Sequence, residues 1–194
     1  MSVHQQTIAL YELLQRIRSR FPALEIESCA SGGGRIDLGI LRYTDRVWAS
    51  DCIDPLERLQ IHQSTELLVP PEYIGMHVGD RIAHTTHRTT DLATRMAAAL
   101  FGHAGIEWDL LSCSSEELDE LRKWIEIYKA YRHRLHSGIT INADFVPEGC
   151  TLRGIVAEDS GWSLFAFARL HTSSEGYTPR IIFPGLAPDR RYRI

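Results

Sequence analysis

Over roughly its first 110 residues the chain alternates helix-period segments with strand-like runs. That alternation limits the folds open to it more than any other feature. Residues 4–20 are apolar at helical spacing and carry interspersed charges, which predicts an amphipathic helix. Strand-like runs follow at 24–29, 46–50 and 73–78, with a short helix or loop over Ile36–Leu41 between the first two. A helix is expected from Pro55 to about Leu68, with Asp54 as N-cap, proline at the first helical position and Glu57 completing a variant capping box. Pro70-Pro71 ends it, residues 80–90 form a polar, histidine-bearing loop, and an alanine-rich helix covers about Asp91–Phe101. Helix and strand in strict turn are the grammar of a parallel α/β sheet or barrel.

The pattern changes near residue 115. Ser115-Glu116-Glu117-Leu118 begins a long helix reaching about Leu135, and after Gly138 the runs become short and alternating. Ile139–Ala143, Thr151–Glu158, Trp162–Leu170, Arg180–Phe183 and Arg191–Ile194 read as strands of a small antiparallel β domain.

Electrostatics excludes some partners. A formal net charge of −4 gives no case for nucleic acid or an anionic membrane surface. No run approaches the length of a membrane span, and no signal peptide is visible. Cys29, Cys52, Cys113 and Cys150 show neither CxxC pairing nor metal-ligand spacing, as expected of reduced thiols in a cytoplasmic protein.

Two blocks carry the chemistry. Cys29-Ala30-Ser31-Gly32-Gly33-Gly34-Arg35 follows the first strand-like run, and Trp48-Ala49-Ser50-Asp51-Cys52-Ile53-Asp54 follows the second. Glycines let a backbone approach a neighbour closely, and strand-end carboxylates are where parallel α/β proteins place reactive groups. Asp54 is fully explained as a helix cap. Asp51 lies between strand end and cap with no such explanation, so it is the catalytic candidate, against an ordinary loop aspartate. The glycine run lacks the Gly-Lys-Ser/Thr ending of a P-loop and is not GxGxxG, which sets a tight turn against a ligand wall. His77, His84 and His87 match no standard zinc spacing, and no metal or cofactor is expected. Glu107-Trp108-Asp109 reads as capping or an interdomain contact.

Four ordered blocks resemble glycoside hydrolase family 36, the bacterial α-galactosidase family. They are Glu27–Arg35, Trp48–Asp51 with Asp54, Gly75–Val78, and Phe101–Asp109. The resemblance implies that residues 1–112 are the C-terminal part of a (β/α)8 barrel, its last three strands, that 113–137 is a connecting helix, and that 138–194 is an antiparallel β-sheet domain. It implies retaining hydrolysis of terminal α-galactosyl residues in sugars such as melibiose and raffinose. By the same resemblance Asp51 is the general acid/base, Cys29 and Gly32 belong to the galactose subsite, and Ser31 and Arg35 support it.

The departure from the family pattern is equally specific. The family's nucleophile is the aspartate of a Lys-Trp-Asp motif on an earlier barrel strand, and no Lys-Trp-Asp occurs here. Retaining glycosidases need two carboxyl groups about 5–5.5 Å apart. Asp51 would have to hold a proton and later take one back, an acid/base contribution of about 10²–10⁴-fold. The expectation is a C-terminal part of an α-galactosidase, inactive alone. Its expected partners are a galactoside and either a second copy or an N-terminal fragment, and its first strand edge and open barrel face are expected to expose apolar surface. The alternatives are a non-catalytic galactoside-binding fragment or the C-terminal subunit of a split enzyme.

Overall fold

The computed structural model describes residues 2–172, 174, 176 and 180–194. Helix α1 (Val3–Arg20) leads into β1 (Glu27–Ser28), α2 (Leu38–Leu41), β2 (Arg46–Trp48), α3 (Pro55–Thr65), β3 (Ile74–Gly79), α4 (Leu92–Ala99) and β4 (His103–Glu107). The strands form one parallel sheet in the order β1-β2-β3-β4, so spatial order follows chain order throughout. Helix α5 (Ser115–Leu135) then connects to β5 (Ile139–Asn142), β6 (Cys150–Val156) and β7 (Ser163–Arg169), a three-stranded antiparallel sheet.

Four parallel strands stand where the sequence suggested three. His103-Ala104-Gly105-Ile106-Glu107 has neither alternation nor β-branched density, yet it pairs with β3 from Gly75 to Gly79. Gly105 permits this, because a Cβ there would lie 2.7 Å from Cδ2 of His77. At the other edge the strand is shorter than expected. The Asp45 carboxylate accepts from the Ile26 amide at 2.8 Å, so a side chain takes the bond a ladder would have made and pairing begins only at Glu27.

The expected strands at Arg180–Phe183 and Arg191–Ile194 do not form. This tail lies against the second sheet through side chains instead. The Phe183 ring meets Phe165 at 5.0 Å between centroids, and a Cβ on Gly185 (φ +81°) would touch Ile141. Pro184, which has no N–H, interrupts any ladder the segment could have joined.

The two faces of the parallel sheet differ in kind. Val47, Met76 and Val78 point to one side and are buried with Leu92, Met96 and Ala99 of α4 and with Phe101. The same core runs on through Leu121 and Leu135 of α5 to Ile155 of β6, so the sheets share packing. Alternate residues on the other face are Glu27, Arg46, Trp48, His77 and Glu107. Arg46 bonds Glu27 and Glu25 at 3.2 and 2.8 Å, and His77 Nδ1 lies 2.9 Å from Glu107. The expected apolar barrel face is therefore ionic, since each charge there has a partner on a neighbouring strand or the preceding loop.

Candidate active site

The end of β2 is held from both sides. On one side sits the glycine loop. Gly32 has φ +70°, and a Cβ there would fall 2.8 Å from Ser50 Cα and 3.1 Å from the Asp51 amide nitrogen. Gly33 is as constrained, its Cβ position lying 2.5 Å from the Ala49 carbonyl. Both contacts are with backbone, which cannot move aside, so the run presses onto the Ala49–Asp51 segment where any side chain would hold it off. Ser31 carries φ +52° and the loop closes through Ala30 and Gly33.

On the other side sits the loop after β3. Thr85 Oγ1 meets Cys52 Sγ at 3.2 Å, and Thr86 Oγ1 and Arg88 both reach Asp54, Arg88 at 2.8 Å. Asp54 also accepts from the Leu56 and Glu57 amides at 2.9 and 3.4 Å, as the cap reading requires. The reciprocal bond from Glu57 does not form among the described residues. Asp54 is completely buried; burial pushes its carboxyl up, but Thr86, the amides and the Arg88 cation outweigh that and hold it below the usual range. The sequence identified the cap and missed the anchoring of a whole loop.

Asp51 is exposed at the centre of this arrangement. Its Oδ1 accepts from Nε1 of Trp48 at 3.1 Å. Trp48 is buried, with the His77 ring 4.3 Å and the Arg58 guanidinium carbon 3.9 Å from its centroid. Neither Trp48 nor Arg58 was singled out as functional; a tryptophan three residues before a strand-end aspartate was the available signal. Cys29 and Ser31 are exposed in the glycine loop next to Gly32, whereas Arg35 lines the cleft between that loop and α1 beside Asp37. Gly32 and Asp51 are thus in direct apposition, with Arg35 at the loop's far side.

The remaining candidates resolve separately. Asp109 caps the turn Leu110–Ser112, accepting from the Leu111 amide at 2.9 Å, while Glu107 pairs with His77. Among the described residues no three His, Cys, Asp or Glu side chains are grouped to hold a metal ion, and no helix is long and apolar enough to cross a membrane. All four cysteines are free thiols.

Residues 1–138 match the family model described as Melibiase. Over 191 residues the chain is 42% identical to an α-galactosidase of Escherichia coli, an alignment covering 97% of this chain and 27% of that protein. An α-galactosidase crystal structure from Lactobacillus brevis superimposes with a TM-score of 0.88 at 33% identity, covering 97% of this chain and 27% of that one. The GH36 α-galactosidase AgaA of Geobacillus stearothermophilus, in a variant complexed with raffinose, gives a TM-score of 0.89 at 29% identity over 95% of this chain and 26% of that one. The chain spans about a quarter of the length of the curated relatives it matches.

Proposed function

The chain belongs to the melibiase family, and on that premise we propose that its 194 residues supply the acid/base half of a retaining α-galactosidase site. Asp51 protonates the departing glycosidic oxygen and then, as carboxylate, takes a proton from the attacking water. Cys29, Ser31 and Gly32 line the galactose subsite, with Arg35 supporting the loop. The observation that carries this reading is the seating of Gly32 on the Ser50–Asp51 backbone, which fixes a close-approach wall directly beside an exposed carboxylate.

The parallel sheet is proposed to be the last four strands of a (β/α)8 barrel. Strand order that follows chain order supports this, because a doubly wound sheet reverses direction at a switch point. Residues 1–112 then belong to the barrel, 113–137 to a linking helix and 138–194 to a terminal β domain. The free thiols fit a cytoplasmic setting.

Retention needs a second carboxylate, and the Lys-Trp-Asp that the family resemblance assigns to it is not among these residues. We therefore propose that they do not hydrolyse α-galactosides alone. Complementation by a piece bearing the earlier strands is favoured over a purely binding role, because β1 and β4 each have only one paired side among the described residues. The test is turnover of an aryl α-galactoside by the purified chain, alone and mixed with an N-terminal piece carrying Lys-Trp-Asp. Activity only on mixing supports the reading; activity alone, abolished by Asp51→Ala, overturns it.

A further inference from the structure

Arg58, one turn into α3, is 1% exposed, and its guanidinium nitrogens find no hydrogen-bond acceptor among the described residues. A buried cation without bonded partners is costly, and an apolar side chain of that volume is usually cheaper. The group that meets it is the face of Trp48, with Cζ 3.9 Å from the ring centroid. Trp48 in turn donates Nε1–H to Asp51 Oδ1. Three side chains thus run in series from a buried cation to an exposed carboxyl.

The chemistry of each link has a direction. A cation over an indole face is held by the ring quadrupole and draws density from the ring, which sharpens Nε1–H as a donor. Indole N–H donates and never accepts. In this geometry Oδ1 of Asp51 is the acceptor, which favours Oδ2 as the oxygen that carries a proton. Packed against both Arg58 and His77, the indole is a fixed reference for a carboxyl that is otherwise exposed to solvent. Burial pushes the Arg58 pKa down to about 10 while Glu107, Cys52, Asp51 and Glu27 raise it, so the side chain stays cationic at neutral pH.

We propose that Arg58 is a positioning residue for Asp51: its stacked guanidinium fixes Trp48, so that Nε1–H occupies Oδ1 and leaves Oδ2 as the oxygen that delivers the proton. The assignment of a delivered proton rests on the acid/base reading above; the coupling itself does not.

The experiment follows the indole N–H resonances of the 194-residue chain by nitrogen-15 NMR, with Trp48→Phe identifying the Trp48 signal. The pH response of that signal in the parent chain is expected to shrink in Asp51→Asn by the part that Asp51 contributes. His77, Glu27, Glu107 and Cys52 face the same region, so whatever titration survives in Asp51→Asn belongs to them. Arg58→Met is expected to speed exchange of the Trp48 indole proton about tenfold and to weaken its response to Asp51; Arg58→Lys should restore most of both. A folded Arg58→Met chain with parental exchange and titration overturns the proposal. If Arg58→Met fails to fold, Arg58→Gln is judged by the same criterion. In the complemented enzyme, Arg58→Met should lower kcat on melibiose about tenfold with KM unmoved and spare an activated aryl galactoside. Intact NMR coupling alongside full melibiose turnover by Asp51→Asn would sink the acid/base assignment instead.

Discussion

Glu66, at the C-terminal end of α3, and Arg153, in the middle of β6, form an ion pair whose side chains are 1% and 4% exposed, although the residues stand 87 positions apart. Asn142 of β5 adds a bond to the same carboxylate at 3.2 Å, and the guanidinium also lies 4.5 Å from the Phe101 centroid. This cluster ties the antiparallel sheet to the helix that begins beside the candidate acid.

Removing one partner strands the other, so Arg153→Met should cost about 3–5 kcal/mol, whereas Glu66→Leu with Arg153→Met should recover much of that loss. Urea unfolding midpoints of the single and double variants decide this. Equal destabilisation by both would show that the loss comes from the pair's own interactions rather than from a stranded Glu66 carboxylate.

Gly32→Ala adds a methyl 2.8 Å from Ser50 Cα at a φ that side chains avoid. The loss expected is about 1–3 kcal/mol of strain and displacement. Hydrogen exchange should rise in residues 30–35 and 49–52 and nowhere in β6 or β7. Unchanged protection at Asp51 would show that the two segments are not braced against each other.

Asp54 is more than a cap, so asparagine, which caps well, should not replace it fully. Asp54→Asn should cost about 1–3 kcal/mol through the lost Arg88 pair and the Thr86 bond. Trypsin should then cut after Arg81 or Arg88 much faster than in the parent chain. Parental cleavage rates would mean that other contacts hold this loop.

His62 is buried without a hydrogen-bond partner for either ring nitrogen among the described residues. Burial, with the Arg58 and Arg153 cations, holds its pKa well below the usual histidine value. The unfolded chain therefore binds a proton that the folded chain refuses. Its contribution to stability is complete above about pH 6.5 and is lost as pH falls towards the depressed folded value. The urea midpoint should drop between pH 7.5 and 5.5 in the parent chain and drop less in His62→Gln. Equal drops would place the acid sensitivity elsewhere.

In the complemented enzyme, Asp51→Asn should lower melibiose turnover by about 10²–10⁴-fold. An aryl galactoside with a good leaving group should suffer less, and azide should rescue it, because an anion needs no general base. Near-parental hydrolysis of melibiose would remove Asp51 from the mechanism.

The local signals of this fold were legible where they depend on neighbours in sequence. Asp54-Pro55 starts α3 and Ser115-Glu116-Glu117 starts α5 where the sequence places those helices. The apposition of glycine loop and Asp51 followed from both blocks ending strand-like runs. β4 was not legible, because Gly105 answers to the ring of His77 across the ladder rather than to any local preference. The tail strands failed for the converse reason: Arg180–Phe183 alternates like a strand, but its packing partner is a ring on β7 and not a ladder edge. Trp48 and Arg58 stayed hidden because a stack between a helix and a strand leaves no pattern in one chain.

The ionic face of the parallel sheet has a consequence for how its edge is held. With two residues in β1 and three in β2, few backbone rungs join the first pair of strands. Much of the sideways grip falls to Arg46, which spans Glu25 and Glu27. Electrolyte shortens the reach of such charges, from about 8 Å in physiological salt to about 3 Å at molar strength. Brine should therefore loosen the margin bearing Cys29 and the glycine loop while the oily interior under β3 stays shut, so ligand grip and global unfolding would respond to salt separately.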